Sequence, residues 1–170
     1  MSDRFNYCPH CSTPLEAFEQ EGIQRMRCAS DDCNFIHWNN PVPVVAAIVE
    51  HEGDIILAHN KLWPADWFGL ITGFLEKGET PEVGVVREVE EELNLKSEAI
   101  EFVGHYDFVE MNQLLIAYHV RARGEIKLNE ELDAIRRTPP AKLKPWPMGT
   151  GHAVRDWLAR QGIVNPEQRF

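Results

Sequence analysis

Basic residues are scarce and never run together. Lys and Arg number 17 against 27 Asp and Glu, a net charge of −10 at neutral pH. A nucleic-acid backbone is held by clustered Lys and Arg, so this balance disfavours nucleic acid as a bulk partner. It leaves room for a small phosphorylated molecule whose charge a bound cation neutralises. Long apolar runs are missing too: nothing approaches the ~20 residues of a membrane span, and the opening MSDRFNYCPHC has no signal-peptide core. The expected location is therefore the cytoplasm, with no membrane partner. No internal repeat or low-complexity tract is visible, and cysteine is absent after residue 33.

The cysteines that exist form two close pairs, Cys8-Pro-His-Cys11 and Cys28-Ala-Ser-Asp-Asp-Cys33. Two such pairs, each on a turn, have the ligand spacing of a zinc ribbon. Residues 15–27 between them can form a short hairpin around Gly22. Disulfides are the rival pairing, but they need an oxidising compartment for which nothing in the sequence speaks. Structural Zn²⁺ on Cys8, Cys11, Cys28 and Cys33 is the expectation, with His10 a loop residue. Asn39-Asn40-Pro41-Val42-Pro43 then interrupts regular structure, placing a boundary near 40: a ribbon over 1–40 and a larger domain over 41–170.

A second shortage is more telling. From Glu88 to Leu95 there is no basic residue, although Glu88, Glu91 and Glu92 fall at i, i+3 and i+4 on one helix face. A helix that merely faced water would pair such carboxylates with Lys or Arg at i+4. Val86, Val89 and Leu93 give the helix an apolar stripe on its other side. Thr80 as N-cap, Pro81 at the first position, Glu82 in the first turn and Asn94 at the end bound it. The loop before it, Gly73 to Glu79, has two glycines, where backbone can approach a ligand closely. Hard oxygen ligands on a rigid helix suit Mg²⁺ or Mn²⁺ with phosphate oxygens completing the shell. An acidic solvated face is the alternative that the residues alone leave open.

Residues 73–95 resemble the signature of the Nudix hydrolases, G-x5-E-x7-R-E-U-x-E-E-x-G-U with U a bulky aliphatic. Gly73, Glu79, Arg87, Glu88, Val89, Glu91, Glu92 and Leu95 occupy its fixed positions, and only the final Gly is replaced, by Asn94. A four-cysteine ribbon ahead of such a domain is similar to the NADH pyrophosphatase branch and the ribbon-bearing FAD or ADP-ribose pyrophosphatases, as is the Pro-rich stretch from Pro145 to Arg155. The branch's Ser-Gln-Pro-Trp-Pro-Phe-Pro is absent, Gly104 to Glu110 standing in its place, so a preference for NADH is not implied.

The resemblance covers roughly 41–165 and implies an α/β/α sandwich with a mixed sheet, after the small ribbon unit. It implies Mg²⁺ or Mn²⁺ on Glu88, Glu92, Glu91 and Glu131, a proton-accepting glutamate, best assigned to Glu91, and Arg87 paired with Glu79 to orient the ligands. The reaction implied is hydrolysis of a diphosphate linkage in a dinucleotide such as NADH or FAD, or in ADP-ribose, with a nucleoside monophosphate released. Two alternatives stand beside it: clean-up of nucleoside triphosphates, and a non-catalytic nucleotide- or nucleic-acid-binding regulator. The branch also implies a homodimer.

The remaining pattern agrees with one α/β domain. Residues 44–50 and 55–59 read as a β-hairpin, a short strand leads into Gly73, 99–110 and 111–123 read as strands, and 153–162 as a closing amphipathic helix. Residues 124–143 read as an acidic, Pro-interrupted connection. For the substrate, Trp63, Trp67, Trp146, Phe74 and the Gly73 backbone are the candidates, with Trp38 and Tyr106 weaker ones, because aromatic faces stack on a base. His51, His59, His105, His119 and His152 lack ligand spacing and are expected to be surface or satisfied residues.

Overall fold

The computed structural model describes residues 5–168. The first four residues, which head the segment read as lacking a secretory leader, lie outside that range, as do the last two. The chain divides into two compact units at Asn40/Pro41. Among the described residues no helix is long and apolar enough to cross a membrane.

The first unit is a three-stranded antiparallel sheet of β1 (Leu15–Gln20), β2 (Ile23–Cys28) and β3 (Ile36–His37) in that order. Glu21 and Gly22 join β1 to β2 with φ of 54° and 79°. Positive φ at both central residues is the turn whose twist matches a hairpin, and Gly22 supplies one of the two without strain.

The second unit is built on one mixed sheet, ordered β7-β8-β4-β5-β9, with β6 also on β4. Its strands are β4 (Val42–His51), β5 (Asp54–Asn60), β6 (Ile71–Phe74), β7 (Lys96–Phe108), β8 (Gln113–Arg123) and β9 (Leu132–Thr138). One edge of β4 is shared, residues 44–47 pairing with β6 and 49–51 with β5. Its other edge runs parallel to β8 from Val42 to Glu50.

Side-chain alternation along β4 builds the two layers. Val45, Ala47 and Val49 pack with Ile56, Ile71 and the buried side of α1 (Pro81–Leu93). Ala46 and Ile48 face the other way, onto Leu143, Trp146 and α2 (Gly151–Arg160), which buries Ala153, Val154, Trp157 and Leu158. Helices on both faces of a mixed sheet are the α/β/α sandwich anticipated from the sequence.

Two details differ from the sequence reading. Leu132–Thr138, read as connection, forms β9 on the β5 edge. Its apolar Leu132 and Ile135 stand three residues apart, across a register shift at His59/Asn60, among Asp133, Arg136 and Arg137, so the period of two is broken and leaves little signal. In α1 the fully buried stripe is Val85, Val89 and Leu93, while Val86 is half-buried at its margin. Three valines lie between Val83 and Val86, and only the sheet's position decides which turn inward.

Candidate active site

Helix α1 carries the site and begins where its sequence says. Thr80 is extended and its Oγ1 accepts from the Val83 N–H at 3.5 Å, Pro81 takes the first position, and Asn94 closes the far end at φ 58°. Its carboxylates are then sorted by one guanidinium. Arg87 donates through Nε and Nη2 to both Glu79 oxygens at 3.2 and 2.8 Å, through Nη1 to Glu88 at 2.6 Å and Glu91 at 3.1 Å, and through Nη2 to the Phe74 carbonyl at 3.1 Å. The planar fork of Arg can hold several oxygens at once in fixed directions. Glu79 also accepts from the Glu76 N–H at 2.8 Å. Arg87 and that amide hold its carboxyl below the usual range.

Glu88 lies directly against Gly73. A Cβ at residue 73 would overlap the Glu88 carboxyl group, so the glycine is a packing requirement for this carboxylate. Burial pushes Glu88 upward in pKa despite Arg87. Glu92 is pushed further, to about 8, by burial first and then by the charges of Glu88, Glu131 and Glu91. A half-buried carboxylate with acidic neighbours is held at an electrostatic cost.

Glu131 arrives from the segment before β9, which is laced to the end of α1. Lys127 and Asn129 donate backbone N–H groups to the Leu93 and Glu92 carbonyls at 3.0 and 3.3 Å, and Asn94 Nδ2 donates to the Glu125 carbonyl at 3.1 Å. Asn129 Oδ1 accepts from the N–H groups of Glu131 and Leu132. It is the charge of Glu131, not of Glu130, that acts on Glu92. Among the described residues no three of these carboxylates converge within 4.8 Å, as mutual repulsion dictates.

The other face of β6 borders a cavity of about 390 Å³. Its floor is Val44, Thr72, Gln113 and Leu115 on β4, β6 and β8. Trp63, Trp67 and Phe68 wall it from the β5–β6 loop, Phe108 from the end of β7, Met111 from the β7–β8 turn, and Trp146, Met148 and Thr150 from the loop before α2. Thr72 therefore faces the cavity while the next residue, Gly73, faces Glu88.

Of the aromatic candidates, the structure brings Trp63, Trp67 and Trp146 to this cavity. Phe74 is 60% exposed and, like Gly73, does not line it; its carbonyl serves Arg87. Trp38 lies in the first unit under Arg25, and Tyr106 donates to Asp156 at 3.1 Å. His51, His59 and His119 are buried rather than on the surface and are bonded to the Gly124 carbonyl, Asp133 and Glu50. Gln113, Phe68, Phe108 and Met148 were not legible as site residues, since only the tertiary fold brings them together.

In the first unit the four cysteine sulfurs lie within 4.8 Å of one another. Cys8 and Cys33 are 3.7 Å apart, Cys11 and Cys28 3.5 Å, without a disulfide. Tetrahedral Zn–S bonds of ~2.3 Å put sulfurs roughly 3.8 Å apart. The N–H groups of His10 and Ser30 point at Cys8 and Cys28. Hydrogen bonding to Thr13, with a contribution from Cys28, holds the Cys11 thiol down to about 6.

An α/β/α sandwich whose helix presents carboxylates sorted by one arginine and seated on a glycine defines a Nudix-type domain. The family model of the NUDIX domain matches residues 40–157, and the chain belongs to that family. It is 26% identical over 166 residues to the NAD-capped RNA hydrolase NudC of Pseudomonas aeruginosa, covering 94% of this chain and 58% of that protein. To the human NAD-capped RNA hydrolase NUDT12 it is 34% identical over 115 residues, 62% of this chain and 23% of that one. The chain thus spans little more than half the length of the first of these relatives. In fold it is similar to a NUDIX hydrolase from Nitrosomonas europaea, with a TM-score of 0.73, 21% identity and 97% coverage of both chains.

Proposed function

We propose that the protein hydrolyses the diphosphate linkage of a nucleoside diphosphate joined to a second moiety, as in NAD(H), FAD or ADP-ribose. The observation that carries this is the pairing across β6: an acidic site at Gly73 on one face and an aromatic cavity at Thr72 on the other. The names of the P. aeruginosa and human relatives, both NAD-capped RNA hydrolases, support a substrate with a dinucleotide diphosphate linkage. With a net charge of −10 we assign the small nucleotide, not an RNA body, as what this chain holds.

The site fits a hard divalent cation, Mg²⁺ or Mn²⁺. Its donors are all carboxylate oxygens, and Glu92 is held up to about 8 by burial and then by the charges of Glu88, Glu131 and Glu91, which a cation would offset. Glu88, Glu92 and Glu131 would hold the ion, with Glu91 beside it. The cation supplies the positive charge that lets an anionic diphosphate accept a nucleophile. Arg87 keeps Glu79 and Glu88 in place and tethers Glu91 by a single bond. Glu91, more than half exposed, takes the proton from the attacking water. Trp63, Trp67 and Trp146 stack on the base. The two products are phosphomonoesters.

The four cysteines hold structural Zn²⁺ in the first unit, and this unit, 1–40, precedes a catalytic unit, 41–170. Thiols kept as metal ligands suit the reducing cytoplasm. A homodimer is the assembly that the family resemblance implies.

The test is a product assay on NAD(H), NAD-capped RNA, FAD, ADP-ribose, diadenosine polyphosphates and nucleoside triphosphates with Mg²⁺ or Mn²⁺, beside Glu92→Gln. Two organophosphates from a dinucleotide, lost in the variant, support the proposal. Inorganic pyrophosphate from a triphosphate would instead identify a clean-up enzyme. Nucleotide binding without turnover would identify a regulator.

A further inference from the structure

We propose that Gln113 selects the ligand in the aromatic cavity, its carboxamide pairing with the rim of adenine. This rests on the reading of that cavity as the base subsite. The walls and floor are mostly aromatic or aliphatic, and such surfaces stack on any flat ring without telling one from another. Discrimination must come from the few polar groups that face in.

Besides the indole N–H groups of the tryptophans, which can only donate, the polar lining side chains are Thr72, Thr150 and Gln113. A hydroxyl offers one donor that rotates. Gln113 differs in presenting a donor and an acceptor side by side in one rigid plane. Adenine has the matching rim, the 6-amino group as donor beside a ring nitrogen as acceptor, and Gln is a matching partner for that edge.

The position is fixed by the sheet. Gln113 opens β8, paired with Val42 on the parallel strand and with Phe108 across the β7–β8 turn. Leu115, two residues on, lines the same cavity, so strand alternation places Gln113 on the cavity face and Leu114 on the other. Gln113 is half-buried, and no described side chain hydrogen-bonds to its amide. An amide held in an apolar cavity without a partner among the described residues is satisfied best by a ligand, and a ligand lacking the complementary group is penalised.

The cavity carries its own reporters, Trp63, Trp67 and Trp146. The experiment is tryptophan-fluorescence titration of the full chain, without added divalent cation, using AMP and purine riboside 5′-phosphate, which lacks only the 6-amino group. Expected is AMP binding about tenfold tighter than the purine riboside compound, with the preference collapsing to about one in Gln113→Leu. Gln113→Met, which keeps the length and removes the amide, serves equally if the leucine variant is misfolded by circular dichroism. A preference that survives in the folded variants, or a native protein that does not distinguish the two ligands, overturns the role of Gln113. Absence of quenching by either nucleotide overturns the base-subsite reading as well. An NMN arm separates adenine from the other ring of a dinucleotide that bears a carboxamide: tighter binding of NMN than AMP, with the difference lost in the variants, overturns the adenine assignment.

Discussion

The Glu88 carboxyl group sits where a side chain on Gly73 would have to be. Even a methyl group at 73 displaces Glu88, and with it one end of the Arg87 fork. Gly73 carries no positive φ, so alanine brings no backbone strain. Gly73→Ala should therefore cut turnover by about a hundredfold, the order expected when a small displacement upsets a catalytic constellation. The melting temperature should change little. Turnover equal to the native enzyme would show that Glu88 works from another position.

Arg87→Lys keeps the charge and removes the fork. One ammonium cannot replace contacts to Glu79, Glu88, Glu91 and the Phe74 carbonyl. Support of metal ligands of this kind is worth 10- to 100-fold, so a loss of about that size in activity or in Mn²⁺ affinity is expected. Steady-state kinetics against Mn²⁺ concentration measures both.

Glu92 makes the fold sensitive to pH. Its folded pKa is about 8 against an ordinary 4.5. Between those values the folded chain holds a proton that the unfolded chain has released, so unfolding free energy falls as pH rises through the window. Without added divalent cation, the melting temperature should decline from about pH 4.5 to pH 8. Glu92→Gln should flatten the decline, and Mg²⁺ or Mn²⁺ at pH 8 should restore stability to the native protein only. A flat native profile would place Glu92 in a better solvated setting.

For the first unit, metal analysis of the purified protein should find one zinc per chain. Cys28, which is buried, gives the sharpest variant. Cys28→Ser should lose the metal, and residues before Asn40 should become sensitive to protease, because a site this small folds with its ion. Four freely reactive thiols in the native protein would contradict the zinc assignment.

Helix α1 was the most legible element. Thr80, Pro81 and Asn94 mark its ends through local backbone chemistry, which needs no tertiary partner. Asn94 could replace the family's glycine because it too adopts the left-handed conformation. The choice of Val85 over Val86 was not legible, since the two differ only in which way the sheet lies. Nor was β9, whose period of two is broken. The cavity was half legible: tryptophan type and loop position singled out Trp63, Trp67 and Trp146. Phe108 and Gln113 join them only because β8 runs beside β4.

That parallel pairing of β4 with β8 also governs how the molecule is made. The whole acidic helix and the tryptophan loop lie in the stretch of chain that it closes. A ribosome must release everything to Arg121 before the pair can zip, and closing a long excursion slows the search. The acidic site and the aromatic cavity should thus appear together and late, so that a nascent or truncated chain ending before β8 holds neither.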